Sequence, residues 1–145
     1  MNKLSVLFMK IVRKFKNVFS NWYRRTAFIS GLKSHGDKIG LLGDVYLWND
    51  NVSIGSGTNV YHGVTLWGPR DIIIGENVEL GINTVIYSQK RVKIGSNVSI
   101  AANCYIIDSN HGIEKNELIR NQRQTVKGPV IIDDDVWLGA GGNCS

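Results

Sequence analysis

Several things are scarce in this chain of 145 residues. No apolar run reaches the roughly 18 to 20 residues that a membrane-spanning helix requires. There are two cysteines, Cys104 and Cys144. That is too few for a disulfide framework, and both fall at repeat positions described below, so they read as packed thiols of a reducing compartment, which places the protein in the cytoplasm. Three scattered histidines, His35, His62 and His111, offer no metal-ligand spacing, so no metal is expected. Residues 1–25 contain no acid. A signal peptide is excluded, because Arg13, Lys14 and Lys16 interrupt the apolar region and no small-residue cleavage site follows. The length is that of one domain.

The formal net charge of +5 is unevenly placed. Lys3, Lys10, Arg13, Lys14, Lys16, Arg24 and Arg25 fall in the first 25 residues, and the remainder is close to neutral. A nucleic-acid partner would need a basic surface on the folded body, so none is expected. Within residues 3–25, Leu4, Leu7, Phe8, Ile11, Phe15, Val18, Phe19 and Trp22 recur at spacings of three and four. This predicts an amphipathic basic helix. Two roles are open to it: capping the folded body or a neighbouring subunit, or lying on an anionic membrane at the inner face.

From Ile54 onward the sequence counts in sixes. Ile54, Val60 and Leu66 are followed by Ile74, Leu80, Ile86, then Ile94, Ile100, Ile106, and finally Ile132, Leu138, Cys144. Eleven of these twelve are Ile, Leu or Val, types that make up 41 of the 145 residues, so chance is a poor explanation. The residue four places on is small or β-branched: Thr58, Val64, Val78, Thr84, Val98, Cys104, Val136, Gly142. Such hexads predict a mainly β fold, a left-handed parallel β-helix in which three short strands close one triangular coil. A coil cannot bury its own apolar side, so stacking supplies the core. Residues 26–53 read as a transition with an imperfect first coil, hinted at by Ile39 and Val45, and 54–145 as the regular solenoid. The chain ends partway through a coil with no cap, which leads us to expect that later coils of a longer protein are missing. Trp48 and Trp67 are expected outside the early coils.

The cadence breaks once, over 108–131. Long insertions in solenoids project from one edge and carry function. His111 stands at the root of this one. Neutral imidazole is the side chain best suited to take a proton near neutral pH. Asp108, three residues earlier, is a candidate to orient the ring. From position alone, a merely exposed loop histidine is an equal reading. Arg120 and Arg123 fit a solvated loop face or a phosphate group.

The ordered set of hexads, the segment Asp108-Ser109-Asn110-His111-Gly112, and Gly128-Pro129-Val130-Ile131-Ile132-Asp133-Asp134-Asp135-Val136-Trp137-Leu138-Gly139-Ala140 resembles the hexapeptide-repeat acyltransferases. Within them it is most similar to sugar O-acetyltransferases, over about residues 50–145. The resemblance implies acetyl-CoA as co-substrate, a saccharide acceptor and a homotrimer with sites between subunits. It implies that His111 is the general base and that Gly139 and Ala140 lie against the acyl donor, with the Ala140 N–H toward the oxyanion. Trp137 would border the site, and Asn83 of a neighbouring subunit would face the histidine.

The chain departs from that pattern where Gly112 replaces a common proline. The acceptor-binding residues of the maltose and galactoside enzymes do not map onto Gly81, Ser88 and Gln89, which favours a polysaccharide-type acceptor. N-acetylation of an amino sugar or sugar nucleotide, and a non-catalytic trimeric scaffold, remain as alternatives. A zinc-dependent carbonic anhydrase of this fold is set aside for want of its three histidines.

Overall fold

The computed structural model describes residues 3–144. The chain divides into two compact units, one ending at Ser30 and one starting at Gly31. The first is a single helix, α1 (Lys3–Ser30). It runs past the expected end at residue 25, because no breaker intervenes before Gly31, and the Ser30 hydroxyl closes the last turn by donating to the Ala27 carbonyl at 3.0 Å. Leu7, Phe8, Ile11, Phe15, Val18, Phe19 and Trp22 are all exposed along it. No described helix is long and apolar enough to cross a membrane.

The second unit consists of fifteen short strands. The first coil is β1 (Ser34–His35), β2 (Gly40–Leu42) and β3 (Tyr46–Trp48); the second is β4 (Val52–Ile54), β5 (Asn59–Tyr61) and β6 (Thr65–Trp67). Next come β7 (Asp71–Ile74), β8 (Glu79–Leu80), β9 (Val85–Tyr87), then β10 (Arg91–Ile94), β11 (Ser99–Ile100), β12 (Tyr105–Ile107). The fifth coil is β13 (Val130–Ile132), β14 (Trp137–Leu138) and β15 (Asn143–Cys144). Each strand pairs in parallel with the third one on, which makes three sheets of five strands. This is the left-handed parallel β-helix that the hexads demand.

The segment 26–53 is therefore more ordered than a transition. Leu41 and Leu47 register with Val60 and Leu66, and His35 registers with Ile54. Its first position is filled by a histidine, which hides the cadence from a hydrophobic count. Ile39 is buried one row away, level with Thr58.

Ten of the twelve hexad residues from Ile54 to Ile132 are buried, with Leu138 and Cys144 half-buried in the last coil. The inner column also holds threonines. Thr58 and Thr84 are buried, and their hydroxyls donate to the carbonyls of Gly75 and Ala101 at 3.0 and 3.1 Å. Paired in this way, a hydroxyl can sit in an apolar column at little cost. The glycines that open each coil are there for space. A Cβ on Gly55 or Gly75 would lie 2.6 Å from the backbone of the glycine in the next coil.

The three corners differ. Gly63, Asn83, Asn103 and Gly141 occupy the second corner, between the second and third strands of successive coils, all at positive φ. Asparagine tolerates that left-handed conformation better than other residues with a Cβ. The third corner carries the extra residues that lengthen the repeat to twenty: Asn49–Asn51, Gly68–Arg70, Ser88–Lys90 and finally the long loop 108–129.

Candidate active site

At the third corner one polar residue per coil points inward. Asn49 donates to the Arg70 carbonyl at 2.7 Å, and Ser88 donates to the Asp71 carbonyl at 3.0 Å. Asp108 occupies the corresponding place in the fourth coil and is buried. Its carboxylate accepts the backbone N–H groups of Gln89, Lys90 and Arg91, each at 2.7 Å. These contacts make Asp108 the anchor of the loop, since a buried carboxylate is tolerable only with such donors. It makes no hydrogen bond to the His111 ring, the role expected from spacing in the sequence.

Two residues on, Asn110 and Thr125 exchange backbone hydrogen bonds of 2.8 and 2.7 Å and close the neck of the loop. Within it, the Gln122 amide accepts the Glu114 N–H at 2.9 Å and donates to the carbonyls of Glu114 and Glu117 at 2.9 and 2.8 Å. Gly112 lies against Gln122, where a Cβ would come within 2.5 Å of the amide oxygen. His111 stands just outside the neck. Its ring is exposed, and among the described residues it makes no hydrogen bond or ion pair. The imidazole is thus available to an acceptor on a backbone fixed from both sides.

The other predicted site residues gather elsewhere. Asn83, Gly139 and Ala140 all lie at the second corner, two coils apart in register, and Trp137 projects from β14 beside them, 76% exposed. No atom would come within 4 Å of a Cβ on Gly139, so the surface there is open. The Ala140 N–H makes no hydrogen bond among the described residues, and neither do those of Ile82 and Ala102 in the same turn of the preceding coils. A free N–H is thus a property of this corner, offered once per coil.

His111 and Asp108 are at one corner of the triangular section, and Asn83, Trp137, Gly139 and Ala140 are at another. A single copy does not bring the two groups together.

Sequence reasoning missed several features. The Gln122 staple and the Asn110–Thr125 neck depend on how the loop folds back, which has no period to reveal it. Ser109 is buried with its hydroxyl unpartnered among the described residues. On the outer face of the second sheet, Glu79 accepts from Asn59 at 3.1 Å and from the Tyr61 hydroxyl at 3.0 Å. That hydrogen bond, with the negative charge of Glu79 and some burial, raises the Tyr61 pKa above its ordinary 10.0. Their spacing of 18 residues would have indicated the pair, had the first coils been aligned by register. Among the described residues no group of three His, Cys, Asp or Glu side chains is placed to hold a metal ion.

No family model matches the chain. It is 36% identical over 112 residues to the Bifunctional protein GlmU of Clostridium beijerinckii, covering 63% of this chain and 24% of that protein. It is 35% identical over 65 residues to the Mycobacterium tuberculosis protein called "Probable acetyltransferase Rv3034c", covering 45% of this chain and 22% of that protein. The chain therefore spans about a quarter of the length of these curated relatives. Among solved structures it is similar to AntD, an N-acyltransferase from Bacillus cereus in complex with dTDP and 3-hydroxybutyryl-CoA. The TM-score is 0.72 at 17% identity, covering 82% of this chain and 66% of that one. A point mutant of AntD with dTDP and coenzyme A matches with a TM-score of 0.72 at 16% identity, covering 83% of this chain and 67% of that one. At such identities the likeness is one of fold.

Proposed function

We propose, from the premise that this chain belongs to the hexapeptide-repeat acyltransferase superfamily, that it transfers an acetyl group from acetyl-CoA to a saccharide hydroxyl. The observation that carries the reading is the exposed, unpartnered imidazole of His111 on a loop anchored by Asp108 and closed by Asn110 and Thr125.

In this reading His111 takes the proton from the acceptor hydroxyl as that oxygen attacks the thioester carbonyl. The negative charge that develops on the carbonyl oxygen is held by a backbone N–H at the second corner, that of Ala140. Collapse of the tetrahedral species breaks the carbon–sulfur bond. The departing thiolate takes the proton from the imidazolium and leaves as free coenzyme A thiol, so the transfer consumes no outside acid or base.

The separation of His111 from Ala140 on two corners supports an assembly of copies, a homotrimer in which one corner of each solenoid meets another corner of its neighbour. The exposed Ile113, Leu118 and Ile119 of the loop suit such a contact. The open surface at Gly139 and the exposed Trp137 fit an extended acyl donor lying along the coils.

A second reading is favoured by one observation. The AntD structures pair this fold with dTDP and an acyl-CoA in an N-acyltransferase, which supports an amino-sugar nucleotide as acceptor. The same base would then remove a proton from the attacking amine.

The test is release of coenzyme A thiol from acetyl-CoA by the full-length protein, with hydroxyl and amino forms of the same sugars as acceptors. Acceptor-dependent release that falls by a factor of about 10² to 10⁴ in His111→Ala supports the reading. Unchanged release in that variant refutes the base assignment, and release only with amino sugars moves the acceptor to the second reading.

A further inference from the structure

The outer face of the third sheet carries an aromatic row that the proposed chemistry does not use. Trp48, Trp67 and Tyr87 are register partners on β3, β6 and β9. The row spans about 10 Å, two strand spacings of about 4.8 Å. Exposure falls along it: Trp48 is 69% exposed, Trp67 38% and Tyr87 8%. The Trp67 and Tyr87 rings meet at 4.3 Å between centroids, inclined at 51°. Tyr46 flanks the open end, its ring centroid 5.9 Å from that of Trp48.

The enclosed end of the row reaches the loop. The Tyr87 hydroxyl donates to the Gln89 amide oxygen at 2.8 Å, with the Gln124 amide oxygen at 3.4 Å. Gln124 precedes Thr125, the residue that closes the neck beside His111. The row and its neighbouring column, Tyr46, Thr65, Val85 and Tyr105, contain no charged side chain.

These features suit one class of ligand. Pyranose rings present apolar C–H faces that stack on aromatic rings, while their hydroxyls need neutral amide and phenol partners such as those at the enclosed end. A second copy of the chain suits the row less well. Three rings at about 150–250 Å² each fall short of the roughly 1,000 Å² that a stable protein interface buries. We propose that this row is a track for a neutral oligosaccharide, with unreacted rings of the acceptor on Trp48 and Trp67 and its reacting end at the loop. The inference rests on the saccharide reading above and adds to it that the acceptor has at least two rings.

Binding is tested without acyl donor, so its outcome is separable from that of catalysis. Maltohexaose, cellohexaose and chitohexaose, with their mono- and trisaccharides, are titrated into the full-length protein by calorimetry. The expected result is binding to at least one series that tightens from monosaccharide to trisaccharide and weakens at least tenfold in Trp48→Ala, with Trp22→Phe as the unaffected control. Absence of binding to all three series overturns the proposal, as does binding indifferent to chain length or to Trp48→Ala. A change of mass in Trp48→Ala by sedimentation, without a change in saccharide binding, assigns the row to contact between copies and also overturns it. Acetyl transfer to a monosaccharide with kcat/KM unchanged in Trp48→Ala leaves the acyltransferase reading standing while the track falls.

Discussion

The Asp108 carboxylate accepts the Arg91 backbone N–H at 2.7 Å, across seventeen residues of sequence. It takes the N–H groups of Gln89 and Lys90 as well, so one side chain terminates the corner of the third coil and starts the loop of the fourth. Removing it leaves three donors without their acceptor. Asp108→Ala is expected to cost about 3 kcal/mol, within the range for hydrogen bonds to a charged group plus donors left unpaired. Urea denaturation reads this directly. Unchanged stability with lost turnover would instead return Asp108 to the role of orienting His111.

The glycine column gives a paired expectation. In Gly75→Ala the new methyl meets the Gly95 backbone at 2.6 Å, and neither coil can move without its neighbours. A loss of about 1–3 kcal/mol follows from such overpacking. In Gly139→Ala nothing lies within 4 Å, so stability stays within about 0.5 kcal/mol. If Gly139 borders the acyl donor, KM for acetyl-CoA rises in that variant while the thermal midpoint stays put.

Tyr61 and Glu79 make a prediction in pH. The Tyr61 pKa is raised in the folded protein, chiefly by its hydrogen bond to Glu79. A raised folded pKa contributes stability that is fully present below the unfolded value, near 10. That contribution is lost as pH rises through the folded value. Absorbance titration of the phenols is expected to show one tyrosine ionising after the others, and Glu79→Gln to bring it back toward them. A single unshifted transition in the native protein would contradict the pairing.

The exposed apolar stripe of α1, with basic residues beside it, is expected to bind anionic vesicles more strongly than neutral ones and more weakly at high salt. Phe15→Glu combined with Phe19→Glu should abolish co-sedimentation. Equal sedimentation of wild type and this variant would rule out the membrane role.

The solenoid was legible because its physics is periodic. Ile74 fits only if Ile54 and Ile94 lie above and below it, so the spacing itself records the contact. The first coil was not, because His35 stands where an aliphatic residue was sought. The helix end was misplaced for a similar reason: charge asymmetry stops at Arg25, while helix formation continues to Gly31. At the candidate site, His111 was legible from the break in cadence. The work of Asp108 was not, since spacing to a histidine is visible in a sequence whereas three backbone donors on another coil are not. Nor was the division of the site between two corners, which appears only when Asn83 and Ala140 are found in one turn and His111 in another.

Val92 registers with Val130 as regularly as Ile72 does with Val92, although 38 residues separate the first pair and 20 the second. The ladder closes over the loop as though it were absent. Closing a longer excursion at that point adds only a logarithmic entropy term, about 0.6 kcal/mol for each doubling of length. The stacked column and the reactive loop are thus thermodynamically almost independent. Mutation can rewrite the residues around His111, or change their number, while the scaffold that presents them keeps its stability.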